Sequence, residues 1–343
     1  MHYGLLGHSG CVVSKYALGT MTFGSETDEA TAFAQLDYFV EQGGTVLDCA
    51  DVYGAGAAEE IVGRWMASRP SDITERMVVV TKGRFPATAV LAAEGTSRRH
   101  LRRALESSLK RLGRDHVDMY MAHSWDPLTP LEETLRFLDD AVTQGKVGYP
   151  GLSNFLGWQV QKAADVARSQ RFAPPVALQP SYSLLVREIE WEIVPACQEN
   201  GLGLLCWSPL GGGWLSGKYR RGDRPSGATR LGEDPNRGIE AFDGRSSSAQ
   251  TWRVLETVEQ TASAREATMA QIALAWVAQK PGVASVLVGA RTLPQLQENL
   301  AAAALTLTDE EMGQLDDVST PQTSGWPYGQ AGVEQRTRLL PTG

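Results

Sequence analysis

Eight times along the chain a short apolar, β-favouring run is followed by a helical stretch, and this rhythm limits the fold more than any other feature. The strand candidates are residues 16–19, 45–47, 77–81, 117–122, 147–152, 176–178, 203–206 and 284–288. They are continuous apolar runs, as parallel strands covered on both faces should be. The first helix follows Thr27-Asp28-Glu29 and runs to Gln42, where Gly43-Gly44 stops it. Further helices are expected near 57–68, 97–112, 131–145, 156–169, 187–200, 248–264 and 268–280. Eight alternations favour a closed (β/α)8 TIM barrel over an open, doubly wound sheet. No Gly-x-Gly-x-x-Gly follows the first strand, which also argues against a Rossmann fold.

The 343 residues contain no linker or composition break, so the chain reads as one domain, 1–343. Residues 3–15, around Gly7-His8-Ser9-Gly10, are expected to form a hairpin ahead of the barrel. Long loops are expected at the C-terminal face. Segment 218–246, rich in Gly, Arg, Asp and Pro, reads as an ordered functional loop or a mobile lid. The Gly/Pro-rich tail, 320–343, is expected to close over one barrel face. The net charge of −8 gives no electrostatic case for nucleic acid or an anionic membrane. No stretch approaches the roughly 18 apolar residues of a spanning helix. Cys11, Cys49, Cys197 and Cys206 form no CxxC pair, and no secretory signal is evident. Reduced thiols in a cytoplasmic protein are therefore expected. No metal-ligand set is expected.

Four consecutive strand ends carry chemistry. Asp48 ends the second strand, with Tyr53 five residues on. Lys82 ends the third and His123 the fourth. In a barrel these positions share the C-terminal rim, with adjacent strands about 4.8 Å apart. Singly, each residue has an ordinary reading: a turn carboxylate, a strand-capping lysine, a satisfied rim histidine. Together they describe a device for protonating a carbonyl oxygen. A lysine ammonium near a phenol favours phenolate and is expected to lower the pKa of Tyr53 from near 10. Asp48 pairs with Lys82, and His123 orients a substrate carbonyl. Nothing in this set supplies hydride, so a cofactor is required.

The chain resembles the aldo-keto reductase superfamily over essentially its whole length. The resemblance is carried by Asp48-x-Ala50-x-x-Tyr53-Gly54 with Glu59-Glu60, Val79-Val80-Thr81-Lys82, and Val117-Asp118-Met119-Tyr120 before His123. It continues through Gly151-Leu152-Ser153-Asn154-Phe155, Leu178-Gln179-Pro180, Ser208-Pro209-Leu210, Gly217-Lys218-Tyr219 and Gly289-Ala290-Arg291 to Glu298-Asn299. The last motifs resemble the branch that includes potassium-channel β-subunits and bacterial reductases. The resemblance implies a barrel that reduces aldehydes or ketones with NADPH. Tyr53 would be the general acid, Lys82 and Asp48 its tuning pair, and His123 the substrate-orienting group.

The same resemblance implies the cofactor contacts. Ser153, Asn154 and Gln179 would hold the nicotinamide carboxamide, with Trp207 stacked on the ring. Ser208, Leu210, Gly212 and Lys218 would follow the pyrophosphate. Arg291, Gln295, Glu298 and Asn299 would hold the adenosine end. Gly19, Thr20, Met21, Asp48, Pro209 and Gly289 complete the set. Arg291 follows strand eight, and arginine grips a 2′-phosphate in bidentate fashion, so NADP(H) is expected over NAD(H). Close approach to the pyrophosphate explains Gly212 more economically than a flexible turn does.

Substrate-facing candidates are Met21, Phe23, Val52, Arg84, Phe85, Trp125, Asn154 and Trp214. This mix suits a hydrophobic ketone, a sugar-like or secondary-metabolite carbonyl, or an aromatic aldehyde. The partner is then a small carbonyl or alcohol, with the reverse alcohol oxidation open on the same barrel. Two other classes compete. One is a cofactor-binding interaction module, which the intact Asp48-Tyr53-Lys82-His123 set and the lack of an N-terminal extension weigh against. The other is an isomerase or aldolase using Lys82 as a Schiff-base nucleophile.

Overall fold

The structure, a computed structural model, describes residues 1–86, 94–227, 229–236 and 238–337. A two-stranded antiparallel hairpin, β1 (Tyr3–Leu5) and β2 (Val12–Ser14), precedes the barrel. Eight parallel strands then close on themselves in chain order. They are β3 (Tyr16–Gly19), β4 (Val46–Asp48), β5 (Val78–Gly83), β6 (Val117–Ala122), β7 (Val147–Ser153), β8 (Ala177–Gln179), β9 (Gly203–Cys206) and β10 (Val283–Val288), with β10 pairing β3. The expected (β/α)8 TIM barrel and its N-terminal hairpin are both present.

Residue alternation along the strands explains why continuous apolar runs were needed. One set of alternate residues fills the barrel interior: Ala17, Val46, Val80, Met119, Met121, Ala177, Leu205 and Leu287. The other set, including Leu18, Leu47, Val79, Tyr120, Leu152, Leu178, Leu204 and Val286, packs beneath the helices. Leu6 and Val13 from the hairpin region join the interior cluster. Gly7 packs so closely against the backbones of Val176, Gly201 and Gly203 that an added Cβ would lie 2.5, 2.4 and 2.7 Å from them. The hairpin thus stoppers the barrel at the N-terminal ends of its strands.

Several boundaries differ from expectation. A single helix over 187–200 is expected, but a 3₁₀ turn, Glu188–Glu190, precedes a short helix, Ile193–Glu199. Bonds from Arg187 Nε and Nη2 to the Glu190 carboxylate at 2.8 Å hold that turn. Pro150 lies within β7, where its missing N–H removes one ladder donor. Pairing continues regardless, because the Pro150 carbonyl still accepts from Val176 N at 3.0 Å. Segment 218–246 carries short helical turns at Arg230–Glu233, Gly238–Glu240 and Phe242–Ser246. Its described part is anchored where Phe242 stacks on Trp214, centroids 5.4 Å apart. The described part of the tail packs Tyr328 flat against Trp191, centroids 4.8 Å apart, beside the segment that follows β8. The last residues of the 320–343 tail lie outside the described residues.

Candidate active site

Register places the site. Gly19 is level with Asp48, and Ser153 with Gln179, at the C-terminal ends of their strands. Asp48 is two residues beyond Val46, Lys82 two beyond Val80, His123 two beyond Met121, and Gln179 two beyond Ala177. Since side chains alternate along a strand, these polar groups continue the interior-facing series above an apolar layer. The site is the top layer of the barrel core.

At its centre Lys82, fully buried, donates through Nζ to Asp48 Oδ2 at 2.8 Å, to the Cys49 carbonyl at 2.7 Å and to Tyr53 Oη at 3.2 Å. Asp48 Oδ1 accepts from Gln179 Nε2 at 2.7 Å, across the barrel. Thr20 fixes the same strand end, its Oγ1 donating to the Asp48 carbonyl at 3.0 Å. Tyr53 begins a tight turn in which Gly54 and Ala55 both adopt left-handed backbone, φ 56° and 54°. Glycine takes that conformation without strain, whereas alanine takes it at some cost. The His123 ring meets Tyr53 edge-on at 6.0 Å and Phe85 at 4.9 Å, with the Arg84 guanidinium 4.6 Å above Phe85.

Electrostatics assign charge states. Lys82 loses hydration on burial, but Asp48 and Tyr53 outweigh that loss and hold its pKa above the ordinary lysine value. His123 is pushed well below the usual imidazole range, first by burial and then by Lys82 and Arg84, so it is neutral at pH 7. The expectation for Tyr53 is corrected. Lys82 does favour its phenolate, but burial is the larger effect and the phenol lies above its ordinary value. Tyr53 is therefore protonated at neutral pH.

A hydrogen-bonded chain continues around the mouth. Ser153 Oγ donates to the Gln179 carbonyl at 3.0 Å. Asn154, in left-handed backbone at φ 55°, donates through Nδ2 to the His123 carbonyl at 3.0 Å. Its Oδ1 accepts from Trp207 Nε1 at 3.1 Å. Ser153, Asn154, Gln179 and Trp207 thus form one connected arc beside the Lys82 centre. Val52 and Met21 are half-buried, and half-buried Trp125 meets Phe155 at 5.4 Å and Trp158 at 5.2 Å.

Two expected roles do not fit the geometry. Phe23 and Trp214 are fully buried and present no surface to a substrate. Trp214 is enclosed by Tyr219, Phe242 and Trp252, and its Nε1 donates to the Glu240 carbonyl at 3.0 Å. Gly212 has left-handed backbone at φ 64°, and a Cβ there would lie 2.8 Å from Glu240 Cβ. Its glycine is required by packing on Glu240, and its N–H already donates to Ser208 Oγ at 3.2 Å. The Leu210 carbonyl accepts from Gly213 and Leu215 N–H in this same turn at 3.0 and 3.1 Å, Pro209 is buried before it, and Lys218 is exposed beyond it.

At the end of β10, Gly289 is exposed and the Arg291 N–H donates to Gln295 Oε1 at 3.0 Å. Asn299 is buried and Glu298 exposed, its carbonyl accepting from Gln271. The Arg291 guanidinium pairs with Glu26 and Glu233.

Sequence reasoning missed a buried polar cluster behind the Tyr53 loop. Glu59 accepts from Thr81 Oγ1 at 2.5 Å and Arg111 Nε at 2.7 Å. Asp51 is 2% exposed, and burial followed by the neighbouring Glu59 charge pushes its pKa up to about 7. Its N–H donates to the Lys82 carbonyl at 3.1 Å, tying this cluster to the centre. The acidic residue inside Asp48-x-x-Asp51-x-Tyr53 was the available signal.

The top core layer of the barrel thus holds a lysine between a carboxylate and a phenol, with a neutral imidazole alongside. The sequence model of the Aldo/keto reductase family matches residues 15–320, and the chain belongs to that family. It is 36% identical to the uncharacterised oxidoreductase YrpG of Bacillus subtilis (strain 168), over 95% of this chain and 100% of that protein. A probable voltage-gated potassium channel subunit beta of Oryza sativa subsp. japonica is 35% identical, over 93% of this chain and 96% of its own. Norsolorinic acid reductase of Aspergillus flavus is 32% identical, over 95% of this chain and 82% of its own. The chain is accordingly an oxidoreductase with relatives in the branch expected. No helix among the described residues is long and apolar enough to cross a membrane.

Proposed function

We propose that this oxidoreductase reduces an aldehyde or ketone to an alcohol with NADPH, taking the proton from Tyr53. The observation that carries the reading is Lys82 Nζ bonded at once to Asp48 Oδ2 at 2.8 Å and Tyr53 Oη at 3.2 Å. When bound, the nicotinamide supplies hydride to the carbonyl carbon. Everything else is the work of side chains. Neutral His123 donates a hydrogen bond to the carbonyl oxygen and orients it. Tyr53 gives its proton to that oxygen as negative charge develops there. Lys82 stabilises the phenolate left behind, and Asp48 keeps the ammonium charged and in place.

The arc at the mouth suits a nicotinamide. Asn154 and Trp207 are linked side by side beside Ser153 and Gln179, and the half-buried Trp207 indole offers an apolar ring. Arg291, at the end of β10, suits a 2′-phosphate. Members of this family generally use NAD(P)H, and one relative bears the name of a reductase. The Schiff-base alternative needs a neutral lysine, whereas Lys82 is held charged between Asp48 and Tyr53.

The test is a titration of purified protein with NADPH and NADH, followed by tryptophan fluorescence, then a screen of carbonyl substrates. Micromolar NADPH binding, weaker NADH binding and consumption of NADPH by at least one aldehyde or ketone are expected. Absence of binding by either nucleotide would overturn the reading.

A further inference from the structure

The arginine proposed to choose the nucleotide is already gripped by carboxylates. Arg291 Nη1 and Nη2 donate to Glu233 Oε1 and Oε2 at 2.9 and 2.7 Å, a side-on bidentate pair. Its Nε pairs with Glu26. Three distant parts of the chain meet there: the loop after β3, the short Arg230–Glu233 helix of the 218–246 segment, and the end of β10.

A carboxylate and a phosphate monoester use the same fork of guanidinium N–H donors, because each presents paired oxygens at matching spacing. They therefore compete for it. Glu233 is the partner placed to leave. Its side chain is 48% exposed and stands on a helix of four residues. The Arg291 backbone is fixed beside it, because Gln295 Oε1 accepts from its N–H at 3.0 Å.

We propose that Glu233 is a specificity-determining latch, a carboxylate that occupies the Arg291 fork and that a 2′-phosphate must displace. The inference rests on the NADPH reading above. NADPH gives up part of its contact with Arg291 to displace the latch. NADH, which has no 2′-phosphate, leaves the latch in place. The wild-type preference for NADPH is therefore smaller than Arg291 alone would provide.

The test measures dissociation constants for NADPH, NADH and 2′-AMP by fluorescence titration and calorimetry. The proteins are the wild type, Glu233→Gln, Arg291→Ala and the double variant, each with an unfolding midpoint as a check on folding. Glu233 is exposed, so Glu233→Gln should unfold as the wild type does. It should bind NADPH and 2′-AMP about two- to fivefold more tightly, the range expected for releasing a partly exposed ion pair, with NADH changed less than about 1.5-fold. In the Arg291→Ala background the same substitution should change nothing. Unchanged or weaker NADPH binding by Glu233→Gln would overturn the latch while leaving the NADPH reading intact. The same gain with Arg291 absent would also overturn it. Failure of the wild type to bind either nucleotide would overturn the reading and the latch together.

Discussion

Replacing Lys82 with methionine tests the centre of the site most sharply, because one atom makes three bonds there. Lys82→Met removes Nζ from Asp48 at 2.8 Å, Cys49 at 2.7 Å and Tyr53 at 3.2 Å. An ammonium 3.2 Å from a developing phenolate is worth roughly 5 kcal/mol at an effective dielectric constant of about 20. Losing it should lower kcat by about 5,000-fold, since each 1.36 kcal/mol is tenfold in rate. The stability effect is separate. Asp48 is 2% exposed and keeps only its Gln179 bond at Oδ1, so an uncompensated charge remains in the core. Breaking such a pair lowers stability by about 3–5 kcal/mol. The assays are NADPH consumption at 340 nm with an aromatic aldehyde, and urea unfolding by circular dichroism. Loss of rate with a folded protein that still binds NADPH is expected. A kcat within tenfold of wild type in a folded Lys82→Met protein would refute the proton-donor scheme.

Tyr53→Phe should abolish turnover while NADPH affinity stays within about threefold; loss of both would make Tyr53 structural instead. Reduction should be flat across neutral pH and fall only above the ordinary phenol range, because the reaction needs the protonated phenol and burial raises the Tyr53 pKa. A decline near pH 6 would show that His123 titrates there, contrary to its depressed pKa. Asp51 has a folded pKa of about 7, above its unfolded value near 3.9, so its neutral form is favoured by folding. Its contribution is complete below about pH 4 and lost as pH rises through 7. Asp51→Asn should therefore be more stable than wild type at pH 8, by about 2–4 kcal/mol, with the advantage vanishing near pH 4 in urea titrations.

What the sequence made legible and what it did not divides along physical lines. Asp48, Lys82, His123 and Gln179 were readable because period-2 alternation carries an inward-facing series to the strand end, and each sits where an apolar run gives out. Phe23 and Trp214 misled because burial of an aromatic depends on what the loops fold over it. Trp214 is covered by Phe242 and Trp252, 28 and 38 positions further along the chain. The packing reason for Gly212 was hidden in the same way: the neighbour that requires a glycine there is Glu240, which no local pattern announces. The sign of the Tyr53 shift was not readable, because it is the balance of burial against one charge. The carboxylates on Arg291 were invisible too, since Glu233 lies 58 residues away.

The apolar floor under the site has a consequence for proton traffic. Below Asp48, Lys82 and Gln179 the interior holds Val46, Val80, Met121, Ala177 and Leu205, with Leu6 and Val13 closing the far end. None of these side chains relays a proton. On the proposed scheme, a Tyr53 emptied by turnover is refilled from the mouth or from the Asp51–Glu59 cluster behind its loop, and not through this floor. The floor thus confines proton resupply on that scheme to the C-terminal half of the barrel, the half through which the proposed substrate enters and leaves.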